Sequence, residues 1–237
     1  MKWKQTGQFE DPPPGSHIAR CISLIDLGTQ THPGWQGEEP WSSRDVRIGF
    51  ELPLKLMAGL YKPELKGRPF GVSTTMKQSL HPSAKMRRFL ASWAGRKLTK
   101  EDMEKFDPRK LLGQPCRLTL IQSEDYLNID GIAPLGEGEK CPPQVNKSTY
   151  LSLDPDEFDL EAFKRLPPRL QEKIATSPEM KVILGEEPEP VQEEVQQQTE
   201  NDSGRDDQGC PFRSPLPQTM QQRMAGFRMA GSFDKRA

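Results

Sequence analysis

The chain alternates apolar and polar side chains over seven consecutive residues, Val46-Arg47-Ile48-Gly49-Phe50-Glu51-Leu52. A repeat of two is the period of a β-strand, because successive side chains point to opposite faces. One face of this strand is apolar and the other carries charge, which is typical of a half-buried strand. The stretch therefore predicts a sheet with one face turned to a core and a charged face turned away from it.

Four further segments have strand character. They are rich in β-branched or aromatic residues and lie at residues 17–28, 71–75, 116–121 and 126–132. Between the third and fourth strands an apolar stripe recurs with helical spacing at Met86, Phe89, Leu90 and Trp93. Pro82 suits the start of this helix and Gly95 its C-terminal cap. Thr99 and Asp102 predict a capping box at a second, short helix.

Five strands with a helix between the third and the fourth is the order of an OB-fold, a small Greek-key barrel. We therefore expect a mainly β fold: an OB-fold-like five-stranded barrel with one or two helices, a helical C-terminal appendix and a disordered tail. The predicted boundaries are a flexible lead-in at 1–14, an OB-fold-like nucleic-acid-binding domain at 15–149, the appendix at 150–184 and the tail at 185–237.

Low apolar content supports the prediction of a disordered tail. Hydrophobic residues make up 33% of the 237-residue chain, and its mean hydropathy is -0.76. Residues 186–207 hold nine acids and one base, whereas residues 213–237 hold five bases and one acid. Both segments are poor in aromatic and β-branched residues, so neither can bury enough apolar surface to fold alone.

Positive charge is concentrated in the middle of the chain. Between Arg44 and Arg117 there are seventeen Lys and Arg against seven Asp and Glu, although the whole chain has a formal net charge of -1. Basic side chains with interleaved aromatics suit a sequence-tolerant binder of single-stranded nucleic acid, since cations follow the phosphates and rings stack on bases. A solvated charged face is the simpler alternative.

The candidate binding residues are those on or beside the strands and the first helix. The cations are Arg44, Arg47, Lys55, Arg68, Lys77, Lys85 and Arg88. The rings that lie in polar surroundings, and so are the better candidates for base stacking, are Trp35, Trp41 and Tyr126. The apolar positions of Phe50, Phe89 and Trp93 predict that these three rings pack in the core instead.

No catalytic or metal-binding pattern accompanies the basic region. The four cysteines form no Cys-x-x-Cys pair, and the three histidines are not spaced as ligands, so we expect free thiols, no metal and no cofactor. No phosphate-binding glycine loop or nucleophile elbow occurs, which indicates a protein that is not an enzyme. No apolar run is long enough to cross a membrane and the N-terminus lacks a signal core, so a cytoplasmic location is expected.

Several segments together resemble bacteriophage-encoded single-stranded DNA-binding proteins with an OB-fold. The likeness spans about residues 15–135 and rests on Ile25-Asp26-Leu27-Gly28-Thr29-Gln30, Val46-Arg47-Ile48-Gly49-Phe50-Glu51-Leu52-Pro53, Trp93-Ala94-Gly95-Arg96, Leu111-Leu112-Gly113-Gln114-Pro115-Cys116 and Tyr126-Leu127-Asn128-Ile129. The resemblance implies cooperative or stoichiometric coating and protection of single-stranded DNA during phage replication or recombination, in the host cytoplasm, with self-association on the DNA. Bacterial relatives often finish with an acidic tip, whereas this chain ends Asp234-Lys235-Arg236-Ala237.

Two other classes of function stay open. The first is a replisome or recombination adaptor that contacts replication or recombination proteins through residues 150–237. The second is a metal-dependent nuclease, which would need several acids converging on a divalent ion. The basic region offers few such acids.

Overall fold

The computed structural model describes residues 10–34, 39–60, 62–123 and 126–185. Its strands are β1 (Gly15–His32), β2 (Trp41–Leu56), β3 (Pro69–Lys77), β4 (Pro115–Ser123), β5 (Tyr126–Ala133) and β6 (Thr149–Leu151). Its helices are α1 (Lys85–Ala94), α2 (Lys100–Glu104), α3 (Leu160–Lys164), α4 (Pro168–Ala175) and α5 (Pro178–Ile183), with 3-10 turns at Pro63–Leu65 and Pro108–Leu111. The fold is mainly β, as the sequence predicts.

Five strands form one antiparallel sheet in the order β3-β2-β1-β4-β5. The long β1 lies at its centre, pairing with β4 through its first half and with β2 through its second half. In the β2 register, Ile48 stands between Leu24 of β1 and Thr74 of β3. This strand order, with α1 between β3 and β4, is that of an OB-like fold.

The sheet is partly open, as in OB-fold barrels. Among the described residues, β3 and β5 share no hydrogen-bonded ladder, although they approach each other. Helix α1 contacts both of these edge strands and buries Met86, Leu90 and Trp93. Helix α1 thus covers the gap between β3 and β5 with apolar side chains, so the core is covered although these two strands do not pair.

An inner core fills the curved sheet beneath α1. Phe50 and Trp93 are both buried, and their ring centroids lie 5.6 Å apart. Phe89 packs against the same core, its ring edge-on to Trp93. The prediction that these three rings are core residues is confirmed, because the even-numbered face of β2 and the apolar stripe of α1 point at each other.

A sixth strand and three short helices build a second core on the other face of β1. Strand β6 pairs in parallel with residues 23–25 of β1. Ile25 and Leu27 are buried against Leu151, Ile174 and Met180. The sequence indicates the helices but not β6, since three residues are too few to show a period of two.

Local hydrogen bonds and backbone conformation fix where α1 and α2 begin or end. The Thr99–Asp102 capping box at α2 is confirmed, with Asp102 N donating to Thr99 Oγ1 at 3.2 Å and Thr99 N donating back to Asp102 Oδ2 at 2.7 Å. Gly95 caps α1 with φ of 66°, as predicted. Helix α1 begins at Lys85 rather than Pro82, because residues after Pro82 form a turn in which Ala84 N donates to His81 O.

Strand β1 is longer than the sequence indicates. Its polar end, Thr29 to His32, is predicted as a loop but pairs with residues 41–44 of β2. Cross-strand pairing therefore keeps these polar residues extended where their own pattern gives no strand signal. Cys21, Cys116 and Cys141 are free thiols; Cys210, the predicted disordered tail after Gly185 and most of the predicted lead-in lie outside the described residues.

Candidate nucleic-acid interface

The outer face of β2 is the surface opposite the inner core. Because side chains alternate along the strand, one row carries Trp41, Ser43, Asp45, Arg47, Gly49 and Glu51. The β3 register adds Gly71, Ser73, Thr75 and Lys77 beside this row. We call this surface the β2–β3 face. Three residues predicted from the sequence lie on it: Lys77 is near Arg47, and Trp41 is farther along the strand.

Arg47 lies near the middle of the β2–β3 face, between Ile25 of β1 and Thr75 of β3. Its side chain is half-buried and forms no ion pair with any described residue. Burial lowers the pKa of the guanidinium below its ordinary value, and no neighbouring carboxylate offsets that effect. A partly desolvated cation without a partner is stabilised by an arriving anion, such as a phosphate.

The surface beside Arg47 is open on β3 and filled on β2. Ser23 Oγ occupies the space above Gly49, where an added Cβ atom would collide with it. On β3, Gly71 and Ser73 are exposed, and an added Cβ atom at Gly71 would meet only Phe50 O at 4.0 Å. A chain molecule lying on this face can therefore approach the backbone of β3 closely.

Glu51 closes one end of the β2–β3 face. Its buried carboxylate accepts hydrogen bonds from Val145 N at 3.0 Å and from Asn146 N and Nδ2, both at 2.9 Å. The connector between β5 and β6 is therefore held over this part of the sheet. Ser43, Asp45 and Gly49 are buried as well, so the accessible part of the face consists of Trp41, half-buried Arg47 and the exposed β3 side chains up to Lys77.

Trp41 stands at the other end of the β2–β3 face and is 50% exposed. Its ring stacks on His32, with centroids 4.2 Å apart and planes 24° from parallel. His32 Nε2 in turn lies 3.2 Å from Asp45 Oδ2, and Ser43 Oγ donates to Asp45 Oδ1 at 2.8 Å. These contacts hold the indole in one orientation, which lowers the entropy cost of stacking a base on its open side.

Sequence reasoning misses His32, because the loop predicted there hides its pairing with Trp41. No sequence pattern around His32 marks this pairing. Trp41 and Arg47 are six residues apart on one face, or about 20 Å along the strand.

Arg44 points to the opposite side of β2 and has two partners. It forms ion pairs with Asp26 and, at 3.3 Å, with Asp154. Hydrogen bonding to Asp26 raises the Arg44 pKa above its ordinary value, and burial opposes that effect. The geometry does not favour Arg44 as a phosphate ligand, since its charge is already engaged in joining β1 to the chain that follows β6.

The other predicted cations are exposed but lie away from Arg47. Lys55 and Arg68 belong to the far end of the β2–β3 hairpin, where Met57 N donates to Arg68 O at 2.9 Å. Lys55 is eight residues beyond Arg47, about 26 Å along the strand. Lys85 and Arg88 lie on the exposed side of α1. The structure does not bring these four residues together with the β2–β3 face.

The two remaining predicted rings differ in what can be said of them. Trp35 lies outside the described residues. Tyr126 is 74% exposed at the start of β5, directly after Glu124 and Asp125 in the sequence. Residues 119–131 hold three acids and no base, so their charge repels a phosphate backbone.

Among the described residues, no three His, Cys, Asp or Glu side chains are grouped so that they could hold a metal ion. None of the described helices is both long and apolar enough to cross a bilayer.

Comparison of the chain with protein-family models, with curated proteins and with solved structures finds no match.

Proposed function

We propose that this protein binds single-stranded DNA along the β2–β3 face, without catalysing a reaction. The observation that carries the proposal is Arg47, a half-buried guanidinium without an ion-pair partner among the described residues, on the same face as Trp41 and Lys77. Arg47 and Lys77 neutralise phosphates, and Trp41 stacks a base. The small exposed residues Gly71 and Ser73 let the single strand pass close to β3.

The proposed setting is the coating of single strands during phage DNA replication or recombination, in the host cytoplasm. Stacking and phosphate neutralisation tolerate any sequence, so preference among bases is expected to be slight. The resemblance to phage proteins supports this setting, and so do the basic middle of the chain and its OB-like fold.

Fluorescence anisotropy with labelled oligo-dT, a matched duplex and single-stranded RNA, each over a salt series, tests the proposal. The expected result is tighter binding to oligo-dT than to duplex, with affinity falling steeply as salt rises. No binding at low salt, or tighter binding to the duplex than to oligo-dT, would contradict the proposal.

A second candidate function, that of a replication or recombination adaptor, is favoured by one observation. The helices after β6 expose three large apolar side chains, Leu160, Val182 and Leu184. Exposed apolar side chains suit contact with another protein. A folded protein that does not bind oligo-dT would favour the adaptor function instead.

A further inference from the structure

The far end of the β2–β3 hairpin, residues 53–60 and 62–68, exposes large apolar side chains. We call this part of the chain the hairpin tip. Its leucines Leu54, Leu56 and Leu60 are 59%, 56% and 79% exposed. Single apolar side chains on a surface need no explanation, whereas three along one short stretch are typical of an interaction surface. Covering them would remove apolar area from water, which is the main favourable contribution when proteins associate.

Hydrogen bonds fix the shape of the hairpin tip. Met57 N donates to Arg68 O at 2.9 Å and so continues the pairing of the hairpin beyond β2 and β3. Farther along, the Glu10 carboxylate accepts from Ala58 N at 2.6 Å and also from Leu60 N. Leu60 is thus held in one exposed position. A surface that is already ordered loses less conformational entropy when a partner binds to it.

The charge of the hairpin tip is positive. Its exposed charged side chains are four cations and one acid: Lys55, Lys62, Lys66, Arg68 and Glu64. Three of the cations, Lys55, Lys66 and Arg68, form no ion pair or side-chain hydrogen bond with the part of the chain that the structure describes. Exposed leucines among unpaired cations are complementary to a surface on which acidic side chains surround apolar ones.

The leucines favour a protein at the hairpin tip over a nucleic acid or a bilayer. Aliphatic side chains offer a nucleic acid neither charge nor a ring on which a base can stack. A bilayer would take up a hairpin with an apolar end. Here the end of the hairpin carries the 3-10 turn Pro63–Leu65, which exposes Glu64 and lies between Lys62 and Lys66. These charges would enter the hydrocarbon ahead of the leucines of β2, which is unfavourable.

From these observations we infer that the hairpin tip docks a second protein through an acidic segment that carries apolar side chains. The three leucines make the apolar contact, and Lys55, Lys66 and Arg68 face the carboxylates of the partner. The tip is separate from the proposed DNA site, since Lys55 lies about 26 Å along β2 from Arg47. The inference does not depend on the proposed function, and it is tested without DNA.

Selection from a displayed library of random peptides, with the full chain as bait, gives the first test. The expected result is enrichment of peptides that combine Asp or Glu with Leu, Ile or Phe. A synthetic copy of the most enriched peptide, labelled with fluorescein, is then the probe in anisotropy measurements. Its affinity for the wild-type protein should fall as salt rises, because opposite charges meet at the contact.

Two double variants then locate the contact. Leu54→Ser/Leu60→Ser should weaken binding of the labelled peptide by about tenfold or more, because truncated apolar anchors carry much of the energy of an interface. Lys55→Glu/Arg68→Glu should weaken it as well, because the introduced carboxylates repel those of the peptide. All four side chains are exposed, so both variants should unfold in urea at the wild-type midpoint.

Each double variant has a matched control elsewhere on the surface. Val182→Ser/Leu184→Ser removes apolar side chains that are 48% and 58% exposed, in and directly after α5. Lys140→Glu/Lys147→Glu changes the charge of two exposed lysines by the same amount. Both controls should bind the labelled peptide as wild type does.

Four results would overturn the inference. A selection that enriches no acidic apolar peptides would do so, and so would a peptide that binds both tip variants as tightly as wild type. Binding to vesicles of anionic phospholipid that Leu54→Ser/Leu60→Ser abolishes would assign the tip to a membrane. Weaker binding of that variant to oligo-dT would assign it to nucleic acid. Failure of the wild-type protein to bind oligo-dT would bear on the proposed function alone.

Discussion

Arg44 and Arg47 are three residues apart in the sequence, and the fold gives them different roles. Arg44 lies on the face of β2 that turns toward Asp26 and Asp154, so its charge is engaged. Arg47 lies on the other face without a partner in the described chain. The alternation of β2 predicts which face each occupies. The sequence cannot predict the engagement of Arg44, because Asp154 is 110 residues away along the chain.

Replacing Arg47 and Lys77 together by Ala tests the two predicted phosphate contacts. For a single strand, removing one phosphate contact should reduce the slope of log K against log salt by about 0.7, so the double variant should have a slope shallower by about 1.4. Affinity for oligo-dT should fall in the same experiment, measured by anisotropy over a salt series. Lys140→Ala/Lys147→Ala is the charge-matched control. If the folded double variant keeps the wild-type slope, then neither Arg47 nor Lys77 contacts a phosphate.

Glu179 links α5 to β1 and should make stability depend on pH. Its carboxylate accepts from Thr29 N at 2.8 Å and from Thr29 Oγ1 at 2.7 Å. Burial raises its pKa, but the Thr29 hydrogen bonds together with smaller contributions outweigh burial, and the net pKa lies below the ordinary value. A lowered folded-state pKa stabilises the fold above the unfolded pKa of about 4.3. That stabilisation disappears as pH falls through the folded-state pKa.

The variant Glu179→Gln should therefore lower the free energy of unfolding by about 1 kcal/mol at about pH 7, allowing for solvent screening. The difference from wild type should shrink below about pH 4. Urea unfolding at several pH values measures both quantities. A difference that is the same at acidic and neutral pH would show that the charge of Glu179 is not the cause.

At the scale of elements, the docking of the C-terminal helices depends on one glycine of β1. Gly28 has φ of 70°, and a Cβ atom there would lie 2.5 Å from Ser177 Cβ. Gly28→Ala should destabilise the protein by about 2–4 kcal/mol, from backbone strain and steric overlap together. Gly67→Ala is the control for strain alone, since Gly67 has φ of 77° with nothing within 4 Å of its added Cβ.

Denaturant unfolding measures both glycine variants. Amide exchange should also become faster in α4 and α5 of the Gly28→Ala protein, because the second core loosens first. If Gly28→Ala and Gly67→Ala lose equal free energy of unfolding, then the helices do not pack as tightly on β1 as the structure shows.

The elements that the sequence predicts are those with a local signal. Alternation predicts β2, the apolar stripe predicts α1, and the Thr99–Asp102 spacing predicts the cap of α2. The polar end of β1 and all of β6 are set by pairing with distant residues, and no local pattern marks them. The stacking of His32 on Trp41 depends on that same pairing, which is why the sequence indicates only one of the two rings.

At the scale of the whole molecule, the open sheet leaves the β2–β3 face and the hollow lined by Trp93, Leu98 and Phe106 on different parts of the surface. Trp93 is therefore an internal control for binding at the β2–β3 face.

Side-chain NMR of the full chain shows whether a single strand of DNA lies on the β2–β3 face, as proposed. Unlabelled oligo-dT is titrated into ¹⁵N-labelled protein while the Arg47 Nε–H and the indole N–H signals of Trp41 and Trp93 are followed, each assigned by substitution. If the strand binds there, the Arg47 and Trp41 signals shift together and saturate at one affinity, while the Trp93 signal does not move. A titration in which Arg47 and Trp41 stay still, or in which Trp93 shifts in their place, would contradict the proposed binding face.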